Sequence, residues 1–178
     1  MMNSKIIAAI KDDSLDALAL TSVEWIFDLA PDIAKIKERA ELCHKVGKKY
    51  FIHFDLAAGI GKDKSGMLFS KGCGVDGIIS TRVNVIKMAH ELKLFTVQRF
   101  FIVDSHSIET TLEGIKTAKP DMIEIMPGTI SKVISALSTA QATPIIAGGL
   151  IETEEELALA LSAGAAAVST SRVDLWKY

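Results

Sequence analysis

Pro144-Ile145-Ile146-Ala147-Gly148-Gly149-Leu150-Ile151 joins a short apolar run, of the kind buried in a parallel sheet, to two glycines that open its C-terminal end. Glu152-Thr153-Glu154-Glu155-Glu156-Leu157 follows, with acidic residues where the first turn of a helix favours them. The pattern recurs at Ala165-Ala166-Ala167-Val168-Ser169-Thr170-Ser171, a second small apolar strand that ends in three hydroxyl residues. Gly148 and Gly149 have no Cβ, so ligand oxygens can approach their backbone N–H groups. Ser171 is placed to cap a short helix starting near Arg172. Two adjacent strand ends of this composition can hold one anion, and in (β/α)8 barrels the loops after strands seven and eight are a frequent phosphate site.

Working outward, the same alternation runs through the chain. Strands are expected at 5–11, 23–29, 50–56, 77–81, 95–100 and 122–126, before the two already described. Between them lie helical patterns at 15–20, behind an Asp12-Asp13-Ser14 cap, and at 33–44, closed by Gly47. Further helices are expected around 67–69, at 83–92, through Leu112, Ile115 and Ala118, and at 131–137. The glycine-rich, charged stretch 59–66 reads as a mobile loop. Eight βα units imply a parallel sheet closed into a compact, single-domain (β/α)8 barrel of the TIM type spanning 1–178, with an open doubly wound sheet as the alternative. Eight units in 178 residues leave roughly 22 each, against ~250 for a typical whole barrel, so some helices must be short or missing. The expected places are 15–20, 67–69 and after Ser171.

Composition narrows the function classes. Hydrophobic residues make up 49% and charged residues 24%, which suits one well-buried core and leaves no low-complexity tail. No apolar run is long enough to span a bilayer and the N-terminus lacks a signal-peptide layout, so a cytoplasmic protein without membrane contact is expected. Cys43 and Cys73 have no metal-ligand spacing and read as buried thiols. A net charge of −2 argues against coating nucleic acid by bulk electrostatics, so any RNA contact has to come from a local patch.

The polar residues fall where a barrel keeps its chemistry: Lys11, Asp55, Arg82, Arg99, Glu124 and Gly149 all lie at or near C-terminal strand ends. Buried charges are costly unless paired, so this set implies mutual neutralisation or a polar ligand, with Glu124 the natural protein partner of the arginines. His53 and Asp55 share a strand face and could form a hydrogen-bonded cluster or touch a substrate hydroxyl. They lack a third ligand at useful spacing, and no metal site is expected. Asp104-Ser105-His106-Ser107 holds triad residue types, but neighbours in sequence cannot adopt opposed triad geometry, so Asp104 or Ser105 reads as a helix cap.

The chain resembles the glycerol-uptake operon antiterminator regulatory proteins over nearly its full length. The likeness rests on His53-Phe54-Asp55-Leu56, on Asp76-Gly77-Ile78-Ile79-Ser80-Thr81-Arg82 and on Gln98-Arg99-Phe100-Phe101-Ile102-Val103-Asp104-Ser105. It continues through Ile123-Glu124-Ile125-Met126-Pro127-Gly128, Ile146-Ala147-Gly148-Gly149-Leu150-Ile151-Glu152 and Ser169-Thr170-Ser171 with Leu175-Trp176. The resemblance implies a small barrel that senses glycerol 3-phosphate and, once loaded, binds the leader mRNA of glycerol-utilisation genes to prevent termination, with no catalysis and no cofactor beyond the effector. The expected ligand set is Lys11, Asp55, Arg82, Arg99, Glu124, Gly148, Gly149, Thr170 and Ser171, with Lys62 and Lys64 facing RNA and the oligomeric state open. The rival expectation is a barrel enzyme, an isomerase, lyase or aldolase acting on a small sugar phosphate. Asp55 or Glu124 would then be the general base, and Lys11 or Arg82 would stabilise developing negative charge.

Overall fold

The computed structural model describes residues 4–11 and 21–177. Eight strands, β1 (Ile6–Ile10), β2 (Trp25–Asp28), β3 (Lys49–His53), β4 (Gly77–Ser80), β5 (Phe95–Phe101), β6 (Met122–Met126), β7 (Ile145–Gly148) and β8 (Ala167–Thr170), pair in chain order. Every pairing is parallel, and β8 closes on β1 through Ile6↔Val168, Ile7↔Ser169 and Ala8↔Thr170. That closure excludes the open sheet. Six helices occur among the described residues: α1 (Ile36–Lys45), α2 (Lys64–Gly72), α3 (Val83–Glu91), α4 (Ser105–Ala118), α5 (Ser131–Ala140) and α6 (Glu154–Ser162). The expected helix at 15–20 and its cap at 12–14 lie outside the described residues.

Alternation along each strand sorts the side chains into two cores. Ile7, Ala9, Trp25, Phe27, Phe51, Ile79, Val97, Met122, Ile146 and Ala167 fill the barrel, while Ile26, Ile52, Ile78, Ile123 and Ala147 face the helices. Inside the barrel Trp25 stacks on Phe51 at 4.6 Å between ring centroids and meets Phe95 edge-on at 4.9 Å. Gly77 makes room for this cluster, since a Cβ there would run into the Phe51 ring.

Several boundaries differ from the sequence reading. β3 stops at His53, and Phe54–Leu56 forms a 3-10 turn, so Asp55 leaves the strand face it was expected to share with His53. α2 is a nine-residue helix, where a stunted turn was expected at 67–69, because Asp63 accepts from Gly66 N and starts it earlier. It absorbs the end of the stretch read as a mobile loop, which is tightly built: a Cβ on Gly66 would meet the Gly61 carbonyl oxygen. After β8 only a 3-10 turn, Val173–Leu175, remains, and its cap position is Arg172 without a side-chain capping bond, so Ser171 is not the cap. Asp104 does cap α4, in a capping box with Ser107.

Between β2, β3 and α1 sits a buried polar cluster. Asp28 Oδ2 accepts from Arg39 Nη1 at 2.6 Å and from the Tyr50 hydroxyl at 2.5 Å, while Oδ1 accepts from Ala30 N. Burial, with the Asp28 charge, pushes the neighbouring Cys43 thiol up to about 12, which leaves it inert at neutral pH. Removing one partner strands a charge in the core. Arg39→Ala is therefore expected to lower the unfolding free energy by about 3–5 kcal/mol in urea denaturation, and a loss below about 1 kcal/mol would show that water reaches Asp28.

Candidate functional site

The C-terminal end of the barrel holds a cavity of about 480 Å³ between β1, β5, β6, β7 and β8. Its lining includes Lys11, Arg99, Gly149, Thr170 and Ser171 from the expected set, together with Ser169, Glu152 and Arg172. Lys11, Arg99 and Arg172 line this mouth with one carboxylate, Glu152, and two of the three cations are already paired from outside the lining, Arg99 with Glu124 and Arg172 with Asp174.

The β7 and β8 ends meet as the glycine pair implied, with Gly148 opposite Ser169 in register. Gly149 has φ +75°, a backbone angle that calls for glycine, while a Cβ there would press only on Met126 Cε at 2.7 Å, the movable end of a flexible side chain. Leu150 follows at φ +60°, two-thirds exposed along the cavity wall. Thr170 ties neighbouring segments together, since its hydroxyl donates to Ile151 O and accepts from Arg172 N, and its carbonyl takes the Trp176 indole N–H. Ser169 was missed by the sequence reading, although alternation with Ala167 turns it inward.

Beside the cavity Arg99 donates from Nε to Glu124 Oε2 at 2.6 Å, with both side chains buried. Adjacent register of β5 and β6 brings them together, and Glu124 is the partner anticipated for this arginine. Arg99 Nη2, Glu124 Oε1 and His53 Nδ1 are buried without a hydrogen-bond partner. Burial first, then the Arg99 charge, depress the His53 imidazole to about 4, so this ring is neutral at pH 7.

Arg82 pairs with Asp55, not with Glu124, and neither lines the cavity. Asp55 has left the strand and turns to the start of α3, where it accepts from the Ser80 hydroxyl, Thr81 N, the Thr81 hydroxyl and Arg82 Nε. Burial opposes its charge, but the Thr81 N–H, the Ser80 hydroxyl and Arg82 outweigh it and hold the carboxyl below the usual carboxylate range. His53 and Asp55 therefore form no joint ligand pair, and no group of three or more His, Cys, Asp or Glu able to hold a metal occurs among the described residues. Lys62 donates to Ala57 O and to Ile60 O, holding its own loop, whereas Lys64 stands exposed in the first turn of α2. A second cavity of about 370 Å³ opens on the other side of Arg99, between Thr81, Phe101, Val103 and the start of α4. No helix among the described residues is long and apolar enough to cross a membrane.

Comparison with known proteins gives this geometry relatives. The family model of the glycerol-3-phosphate responsive antiterminators matches residues 6–176. The glycerol uptake operon antiterminator regulatory protein from Listeria monocytogenes is 33% identical, with a TM-score of 0.91 over 98% of this chain and 95% of that one. A glycerol uptake operon antiterminator-related protein from Thermotoga maritima is 34% identical, with a TM-score of 0.87 over 100% of both chains. The uncharacterized protein YgcP of Escherichia coli is 35% identical over 99% of this chain and 93% of its own length. An aldolase at 15% identity and a TM-score of 0.75 shares the fold alone.

The buried imidazole gives a pH signature. Because the folded His53 titrates near 4 and an unfolded histidine near 6.5, the unfolded chain binds the extra proton first, and stability falls as pH drops through that window. Urea unfolding at pH 7 and pH 4 should show the wild type losing up to about 3 kcal/mol more than His53→Gln. Equal losses would place the ring in contact with solvent.

Proposed function

The chain belongs to the glycerol-3-phosphate responsive antiterminator family, and from that membership we propose that it is a cytoplasmic regulator that binds glycerol 3-phosphate at the barrel mouth and then leader mRNA of glycerol-utilisation genes. The observation that carries this reading is the cavity at the β7 and β8 ends, where Gly149 lies beside Ser169 and Ser171 and where Lys11 and the paired guanidiniums of Arg99 and Arg172 supply donors for an anion. A phosphate dianion satisfies all of these at once.

The residues give the enzyme alternative little to work with. Asp55, one of the two candidate bases, is held by four donor groups and is more acidic than an ordinary carboxylate, which makes it a poor base. Schiff-base aldol chemistry needs a desolvated lysine at the reacting centre. Among the described residues Lys48 is the buried lysine, and it lies at the opposite end of the barrel, donating to Thr21 O and Val23 O.

Arg99 borders both cavities, so a ligand that engages its guanidinium on the inner side is felt at the outer one, next to Phe101 and the exposed Val103. Net charge −2 offers RNA no general attraction, so contact depends on a local surface. Lys64 is its candidate, with Lys62 joining only when it releases its own loop.

Thermal unfolding tests the ligand half. Glycerol 3-phosphate at about 100 times its dissociation constant should add about 2.7 kcal/mol of stability, glycerol should add none, and Gly149→Val should abolish the shift while keeping its circular dichroism spectrum. An equal response to glycerol, or none to either, sinks the proposal.

Paired titrations test the RNA half. Glycerol 3-phosphate and leader RNA must strengthen each other's binding by the same factor. The RNA affinity should fall with salt and weaken in the Lys62→Ala/Lys64→Ala double variant, which retains ligand binding. Tight, ligand-independent RNA binding overturns the switch.

A further inference from the structure

The Arg99–Glu124 contact is a fork with one prong closed. A guanidinium and a carboxylate can form two parallel hydrogen bonds, which is their strongest arrangement. Here Nε bonds Oε2 at 2.6 Å, but the second donor, Nη2, and the second acceptor, Oε1, do not bond each other or anything else, although both are buried. A buried donor and acceptor left open each carry a desolvation cost. The neighbouring strand keeps this arrangement in place, because a Cβ on Gly148 would run into Glu124 Oε1. Arg99 also lines the cavity.

We propose that this open prong reads an alcohol hydroxyl of the ligand, and so restricts the site to phosphorylated alcohols over keto, carboxylate or deoxy analogues. This inference rests on the phosphate reading above and adds the discriminating end of the ligand. A hydroxyl is the small group that meets both demands, donating its hydrogen to Glu124 Oε1 while its oxygen accepts from Arg99 Nη2. A carbonyl accepts from Nη2 but leaves Oε1 facing a second acceptor. A carboxylate adds like-charge repulsion against Glu124, and a methylene satisfies neither atom. Because Glu124 is wholly buried, the hydroxyl reaches Oε1 through a small side-chain adjustment that keeps Arg99 Nη2 at hand to donate, a change common on ligand binding.

Calorimetric titration of the wild-type protein with inorganic phosphate, glycerol 3-phosphate, dihydroxyacetone phosphate, 3-hydroxypropyl phosphate, 2-hydroxypropyl phosphate and propyl phosphate tests this. Glycerol 3-phosphate should bind at least about tenfold more tightly than propyl phosphate. Dihydroxyacetone phosphate, which keeps the primary hydroxyl and replaces the C2 hydroxyl by a carbonyl, should follow propyl phosphate if C2 is read and glycerol 3-phosphate if the terminal carbon is read. One of the two monohydroxy esters should retain most of the affinity, which identifies the carbon that is read. In Glu124→Gln the preference for the hydroxylated esters over propyl phosphate should collapse while affinity for inorganic phosphate persists; if that variant does not fold, the wild-type series decides alone. Equal binding of all the esters overturns the hydroxyl reading and leaves the phosphate corner standing. Failure of every ester and of phosphate to bind overturns both.

Discussion

An eight-stranded parallel barrel encloses a volume just wide enough for its own inward side chains, and filling that volume is the constraint on which the rest of this structure depends. Here the lower part is filled by rings, with Trp25, Phe51 and Phe95 in mutual contact and Phe27 at 5.4 Å from Phe51. So much aromatic volume on neighbouring strands is tolerated because Gly77 contributes none. Toward the C-terminal end the inward positions become His53, Arg99, Glu124, Gly148 and Ser169, which fill less and carry polar atoms. The cavity at that end follows from this grading, and so does its capacity to bind something other than hydrocarbon.

Two buried ion pairs show how satisfaction separates a structural charge from one that faces a site. Asp28 lies on the helix-facing side of β2, where Arg39 and Tyr50 take one carboxylate oxygen and Ala30 N the other, leaving neither oxygen bare. Glu124 faces the barrel interior and keeps one oxygen bare, as Arg99 keeps one amino group. Both pairs are 2.6 Å contacts between buried groups, so distance and burial alone do not distinguish them. The difference lies in the carboxylate, since both Asp28 oxygens are bonded whereas Glu124 Oε1 is not, and an unfilled oxygen is costly in low dielectric until a partner arrives from the cavity.

Much of this was legible in the sequence because barrel strands are local signals. Ile145 to Ala147 followed by Gly148 and Gly149 located β7 and its open end, and the alternation around it gave eight strands and their order. Arg99 with Glu124 could be anticipated, since two opposite charges on consecutive strands of a closed barrel come into register. Asp55 could not be placed, because its position turns on whether β3 ends at His53 or two residues later, and the 3-10 turn that decides this sends it to Arg82. Thr170 and Ser169 exchange roles for a similar reason: one residue of strand phase sets which hydroxyl faces the cavity and which one secures Ile151 and Arg172. Arg172 enters the cavity lining through the fold of a short tail whose sequence has no periodicity to read.

The loop after β7 is held in shape by the protein's own contacts, and the reason lies in how it is anchored. Gly149 and Leu150 both have positive φ, and for a leucine that conformation costs energy unless its surroundings impose it. They do so from several sides. Gly128 N donates to the carbonyls of Gly148 and Gly149, and the Thr170 hydroxyl holds Ile151 O. At the far end Thr153 and Glu156 close a capping box, in which the Glu156 carboxylate also takes Glu152 N. With both ends of so short a segment fixed, the strained residue between them has little freedom to relax. A ligand that finds the loop already ordered does not have to offset its conformational entropy on binding. Contact with a ligand then falls to side-chain groups that still have unfilled capacity, and Arg99 Nη2 is one of these along this cavity.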